Sequence, residues 1–301
     1  MPAFAYLLLP ILFWSGNYVL GRVTVSGGID PFTISFFRWS IACLLILPFA
    51  WPKIRQDWPL VKQHWPMLVL FAFLGICNYN LFLYIGLTST TVTNAVLLNS
   101  IMPVMILITA RLLLGTRTST LQNSGILLST VGAVVIISRG SFETFLHLTF
   151  TPGDLWIVTA AVSWAIYSVL LTKRPGLHLL SFFATTAVIG TTLQLPLFLL
   201  FASSDLSALS VANWGAIVYM GIFASIGAFL CWNLGVQKLG AATAGHFVHL
   251  MPVFSIFLSV LFLGEQIEGF HGIGILLIFS GIGIATVLHQ RVQRQRTATG
   301  G

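Results

Sequence analysis

His246 and His249 stand three residues apart, a spacing that puts both imidazoles on one face of a helix. Such a pair could hold a metal, exchange a proton near neutral pH or contact a polar cargo. A metal would need further ligands, and Glu265 lies 16 residues beyond His249, about 24 Å along a helix. The pair therefore points to interior hydrogen bonding, or to a cargo-contacting or proton-responsive role, with no metal or other cofactor. Aromatic residues form a second constellation: Trp14 and Tyr18, Tyr79 and Tyr84, Trp164 and Tyr167, and Trp232. Asn17 follows Trp14, and Tyr167 follows Trp164, by one helical turn. An indole on that face can stack on an aromatic cargo or hold an ammonium by cation–π attraction, core packing being the rival role.

Arg38 is the one basic residue expected well inside an apolar stretch. Its long stem can carry the guanidinium to the headgroups, which is the ordinary behaviour. The alternatives are contact with a cargo carboxylate or closure of an outer gate. No Asp or Glu falls in the middle of any apolar stretch, which disfavours proton-coupled export of cationic drugs. No cluster of Lys and Arg is available there to hold phosphate. The interior so described suits neutral or zwitterionic molecules with an apolar body.

The elements that must position these residues follow from composition. With 57% hydrophobic and 7% charged residues among 301, the chain cannot cover a water-facing surface. Apolar runs of about 20 residues cross a hydrocarbon core as helices. Spans are expected near 4–25, 32–51, 66–87, 92–114, 121–138, 154–172, 178–201, 211–237, 241–263 and 270–289. The start, MPAFAYLLLP, lacks a basic segment and a cleavage site, so the first span is expected to be retained. Cys43, Cys77 and Cys231 fall inside spans without CxxC spacing and read as small apolar residues. Trp51, Trp58, Trp65, Trp156 and Trp214 suit an interfacial belt.

Basic residues stay on the cytoplasmic side of short loops. That rule places Lys53, Arg55, Lys62, Arg111, Arg117, Lys173, Arg174, Lys238, Arg291, Arg294 and Arg296 inside, with only Arg22 and Arg139 outside. Asp30, Glu143, Asp154, Asp205, Glu265 and Glu268 fall outside and Asp57 inside. Both termini are then cytoplasmic. The closing HQRVQRQR reads as an anchor against anionic lipid rather than a nucleic-acid site.

An internal repeat is written at a constant offset of 149 residues. YIGLTSTTVTNAVLLNSIMPV from Tyr84 lies over NLGVQKLGAATAGHFVHLMPV from Asn233. LLLG ending at Gly115 falls on LFLG ending at Gly264, and GILL from Gly125 on GILL from Gly274. Five helices per copy is an odd number, so the second copy enters the membrane from the opposite face, as in the inverted repeats of carriers. Pro103 and Pro252 fall mid-span in equivalent positions, each loosening the carbonyl four residues earlier, on Asn99 and Val248. Polar neighbours gather there: Asn94, Asn99 and Ser100 in one copy, Thr243, His246 and His249 in the other. The kinks either face a watered interior and serve as hinges or are packing kinks bonded to neighbouring helices.

Two five-helix halves, the tryptophan-to-asparagine turn from Trp14 to Asn17, and the MPV blocks leading to LG at Gly115 and Gly264 resemble the EamA-type branch of the drug/metabolite transporter superfamily. The resemblance covers nearly the whole chain, and within the branch it is greatest to the YddG-type exporters of aromatic amino acids. It implies a ten-helix basket with a central cavity, working by alternating access, with amino acids or related metabolites as cargo. Small multidrug relatives carry a glutamate in their first helix, where this chain has Trp14 and Asn17.

Together these observations lead to an all-α polytopic membrane protein of ten transmembrane helices, two inverted five-helix repeats around a central cavity. Residues 1–140 form the first repeat, 150–290 the second and 291–301 a basic cytoplasmic tail. The expected function is export of aromatic or other large neutral amino acids and related metabolites by a monomer in the bacterial cytoplasmic membrane, without a coupling ion. Substrate contacts are expected from Asn17, Tyr79, Tyr84, Asn99, Trp164, Tyr167, His246 and His249. Export of other small neutral metabolites or drugs is the alternative, and an intramembrane hydrolase pairing Ser163 with His246 a remote one, since no GxSxG or HExxH motif is present.

Overall fold

A computed structural model of the chain describes residues 4–116, 119–141, 143, 150–263 and 266–288. Arg117, Glu265 and the tail 291–301 lie outside the described residues. Among those described, every regular element is helical. The first, α1, is Ala5–Ser26. It is followed by α2 (Pro31–Gln56), α3 (Trp65–Ser89), α4 (Asn94–Leu114), α5 (Thr120–Ile137), α6 (Pro152–Lys173), α7 (Leu179–Phe201), α8 (Val211–Leu239), α9 (Ala241–Leu258) and α10 (Gly269–Thr286). Nine of these, α2 to α10, are long and apolar enough to cross a membrane. At 22 residues α1 is long enough, and Asn17, Tyr18 and Arg22 dilute its apolar composition. A short helix, Trp58–Gln63, joins α2 to α3.

Local chemistry sets the helix ends. Asp30 caps α2, its Oδ1 accepting from the Thr33 amide at 2.9 Å, and Pro31 opens the helix. Ser119 and Gln122 form a reciprocal capping box at the start of α5. Gly115 ends α4 with φ of 64°, a conformation available to glycine without strain.

Four helices are irregular in their middles, in matched pairs. Helix α4 is interrupted between Asn99 and Met102, and α9 passes through a 3₁₀ turn at Val248–Leu250 before resuming at Met251. Pro103 and Pro252 are each the second residue of the resumed segment, where a missing N–H costs least. Helices α3 and α8 contain π-helical stretches, Ala72–Asn78 and Met220–Gly227. Wider π turns leave carbonyls out of the α register, and nearby side chains take them up. Asn80 Nδ2 donates to Gly75 O at 3.0 Å, and Ser225 Oγ donates to Met220 O at 2.9 Å.

Helices α2 and α7 run antiparallel, joined at both ends by a carboxylate. At one end Asp30 Oδ2 accepts from the Ser204 amide at 3.0 Å and its hydroxyl at 2.6 Å. At the other, Asp57 Oδ2 accepts from the His178 amide at 2.7 Å. Helices α5 and α10 are also antiparallel, in contact through glycines. A Cβ on Gly125 would stand 2.5 Å from Gly281 O, and one on Gly132 2.7 Å from Gly274 O. Other neighbours pair reciprocally: α3 with α6 and α1 with α8, α4 with α6 and α1 with α9. Buried aromatic side chains fill the space that α1, α3, α6 and α8 share. The belt tryptophans Trp51, Trp58, Trp65 and Trp156 are exposed, while Cys43 and Cys77 are buried and unpaired.

Candidate functional site

Arg38 does not reach for the headgroups. Its residue is 0% exposed, the largest charged side chain buried among the described residues. Nε donates to Ser225 Oγ at 2.6 Å, and Nη2 to Ala224 O at 2.9 Å. Nη1 donates to Tyr84 OH at 2.7 Å and to Asn17 Oδ1 at 3.2 Å, while Tyr84 OH donates to the same Asn17 oxygen at 3.0 Å. The expectation of snorkelling is thus overturned, and the reason is local. The π stretch of α8 presents a carbonyl and a hydroxyl inside the bundle, and α1 and α3 add two more acceptors. Four converging bonds hold the guanidinium inward where lipid offers none. All four acceptors are neutral, so an interior that from the sequence suited neutral or zwitterionic molecules contains a cation.

Around Trp164, 1% exposed, stands a shell of rings. Tyr79 approaches to 4.7 Å between centroids, Trp14 and Tyr167 to 5.0 Å, Phe229 to 5.2 Å and Trp232 to 5.7 Å. Trp14 and Phe229 meet Trp164 edge-on, Tyr79 and Trp232 are tilted and Tyr167 is stacked, arrangements that suit aromatic quadrupoles. Polar tips are satisfied: Tyr167 OH donates to Asn233 Oδ1 at 2.9 Å, and Trp232 Nε1 to Ser168 Oγ at 3.2 Å. Trp14 Nε1 donates to Ala224 O at 3.0 Å, the same carbonyl that Arg38 uses. One oxygen therefore joins the guanidinium to the aromatic shell.

A third group lies at the helix breaks. His249 Nε2 is 2.9 Å from Ser100 O, and Nδ1 is 2.7 Å from Ser129 Oγ. Asn99 Nδ2 donates to Met251 Sδ at 3.1 Å, and Ser15 Oγ to Met251 O at 3.2 Å. Of the residues singled out by sequence, Asn17 and Tyr84 meet Arg38, and Tyr79, Trp164 and Tyr167 form the aromatic shell. Asn99 and His249 lie at the breaks beside Pro103 and Pro252, with His246 buried in the preceding turn of α9. Sequence reasoning did not select Ser225, Phe229 or Asn233, whose partners lie in remote helices. The apolar neighbourhood of Ser225 and Asn233 was the available signal.

The EamA-like transporter family matches residues 1–138 and 151–287. An uncharacterized transporter, YyaM, of Bacillus subtilis (strain 168) is 31% identical over 278 residues, covering 90% of this chain and 89% of its own. A probable terminal-alkyne amino-acid exporter of Streptantibioticus cattleyicolor is 27% identical over 265 residues, covering 86% and 84%. A solved crystal structure superposes with a TM-score of 0.78 at 23% identity, covering 96% of this chain and 98% of that one. That likeness extends to the fold alone. With its apolar helices and matching halves, this chain belongs to the EamA-like transporter family and is a multi-pass membrane transporter.

Proposed function

We propose that this chain exports aromatic and other large neutral amino acids across a bacterial cytoplasmic membrane, facilitatively and by alternating access. In this reading α1 also crosses, giving ten spans, and the halves are inverted repeats with both termini cytoplasmic. Support for inversion comes from the helices themselves: α2 and α7, and α5 and α10, are equivalent at the 149-residue offset and run antiparallel. Matched breaks at Pro103 and Pro252 give each half a place to bend.

The observation that carries the cargo assignment is the aromatic shell around Trp164, drawn from α1, α3, α6 and α8 and thus from both halves. Rings arranged this way can exchange contacts with one another for contacts with an aromatic side chain at little cost in burial. The name of the Streptantibioticus relative, an amino-acid exporter, agrees. Flux of the twenty amino acids through sealed proteoliposomes tests the proposal. Phenylalanine, tyrosine and tryptophan should lead the ranking; equal flux for glycine or lysine would contradict it.

A further inference from the structure

Resting on that export reading, we propose that Arg38 is the anchor for a cargo carboxylate, and that the carboxylate, not the amino group, is what the site requires. The cargo class is then apolar-bodied carboxylic acids, of which aromatic amino acids are one kind.

The charge balance makes the first argument. The chain has seven acidic residues, Asp30, Asp57, Glu143, Asp154, Asp205, Glu265 and Glu268, none in the middle of a span. Arg38 is bonded to an amide, a phenol, a hydroxyl and a carbonyl. The Trp39 ring, 5.5 Å from the guanidinium carbon, adds cation–π attraction. A desolvated guanidinium with only dipoles and one ring around it still lacks a counter-charge, and a carboxylate offers the planar, two-oxygen partner that its fork fits.

Geometry makes the second. The Asn17 contact, 3.2 Å, is the longest of the four, and Asn17 Oδ1 already accepts from Tyr84 OH. It is the bond a carboxylate oxygen most readily replaces, Asn17 keeping a partner. Among the described residues Nη2 makes one hydrogen bond, to Ala224 O, leaving its second N–H group for a ligand. A carboxylate bridging Nη1 and Nη2 would therefore need to displace a single contact. Because Ala224 O receives both Trp14 Nε1 and Arg38 Nη2, the shell around Trp164 lies within reach of the body of a molecule held by its carboxylate at Arg38. Among the described residues no acid is bonded to Arg38 to receive an ammonium beside it, and a cationic cargo meets a like charge. Deaminated acids should therefore be accepted and decarboxylated or amidated analogues refused.

The test compares acid and amide of the same body on the wild-type protein in proteoliposomes, with thermal stabilisation of the purified protein as a second readout. Phenylalanine and 3-phenylpropionate should both compete for flux and stabilise. Phenylalaninamide and 2-phenylethylamine should be weaker by on the order of tenfold to a hundredfold. Arg38→Gln should erase the difference between acid and amide, and Arg38→Lys should restore part of it. Should Arg38→Gln not fold, Ser225→Ala, which frees Nε and leaves the guanidinium less compensated, should widen the acid preference severalfold, and an unchanged or narrowed preference would count against the anchor. Equal action of acid and amide, or an unchanged acid preference in Arg38→Gln, overturns the anchor and leaves the export reading intact. Recognition of leucine and 4-methylpentanoate with no aromatic acid recognised would overturn the aromatic assignment and uphold the anchor. Failure of every acid to move or stabilise would overturn both.

Discussion

His249 Nε2 lies 2.9 Å from the carbonyl oxygen of Ser100, a residue 149 positions earlier, the same separation at which the two halves of the sequence match. Each half thus meets its own counterpart at the helix breaks. The carbonyl can only accept, so Nε2 donates, and in a neutral ring Nδ1 accepts from Ser129 Oγ, 2.7 Å away. His249→Phe would strand the Ser100 carbonyl in an apolar interior at a cost of about 1–3 kcal/mol. The expected outcome is a lower Tm in detergent, with His249→Gln recovering part of the loss by supplying a donor. An unchanged Tm in His249→Phe would show the contact to be incidental.

The contact between α5 and α10 gives a second prediction. Gly281 has its would-be Cβ position 2.4 Å from Gly125 O, a backbone atom that cannot swing aside. Gly281→Leu should force the helices apart and cost about 1–3 kcal/mol or more, seen as loss of monodisperse protein in size-exclusion chromatography. Gly215→Leu is the control, since nothing lies within 4 Å of its Cβ position.

Asp30, between α1 and α2, supplies a pH dependence. Burial pushes its carboxyl up, but bonds from Ser204, Thr33 and Ser203 outweigh this and hold it below the usual carboxylate range. A folded-state value below the unfolded one means that the ionised clamp stabilises fully above the unfolded value, near pH 4. That contribution disappears as pH falls through the folded value. The wild-type Tm should therefore drop more steeply on acidification below about pH 4 than that of Asp30→Asn. Parallel pH profiles for the two proteins would remove the clamp from the account.

Trp164 makes five of the ring contacts in the shell. Trp164→Phe preserves an aromatic core while shortening its reach, so KM for an aromatic cargo should rise roughly threefold to tenfold with the fold retained. Equal KM values would assign Trp164 to packing alone.

Much of the architecture is legible in the sequence because its causes are local or periodic. Apolar runs locate the helices, Asp30 and Ser119 begin two of them, and Pro103 and Pro252 mark the breaks. Arg38 shows where such reasoning stops: depth along α2 gives the cost of a buried charge but not the direction of its side chain. That direction depends on Ser225 and Ala224, more than 180 residues away, in a π stretch whose composition matches ordinary apolar helix. Trp164 was recognisable as aromatic and central, whereas the rings that enclose it come from four helices and required the fold.

The most direct test of the central claim is counterflow in sealed proteoliposomes preloaded with unlabelled phenylalanine and exposed to trace labelled phenylalanine. The account predicts transient accumulation of label above its external concentration, abolished when the vesicles are made leaky. Uptake no greater than in protein-free vesicles, or label binding that persists unchanged in leaky ones, would contradict it.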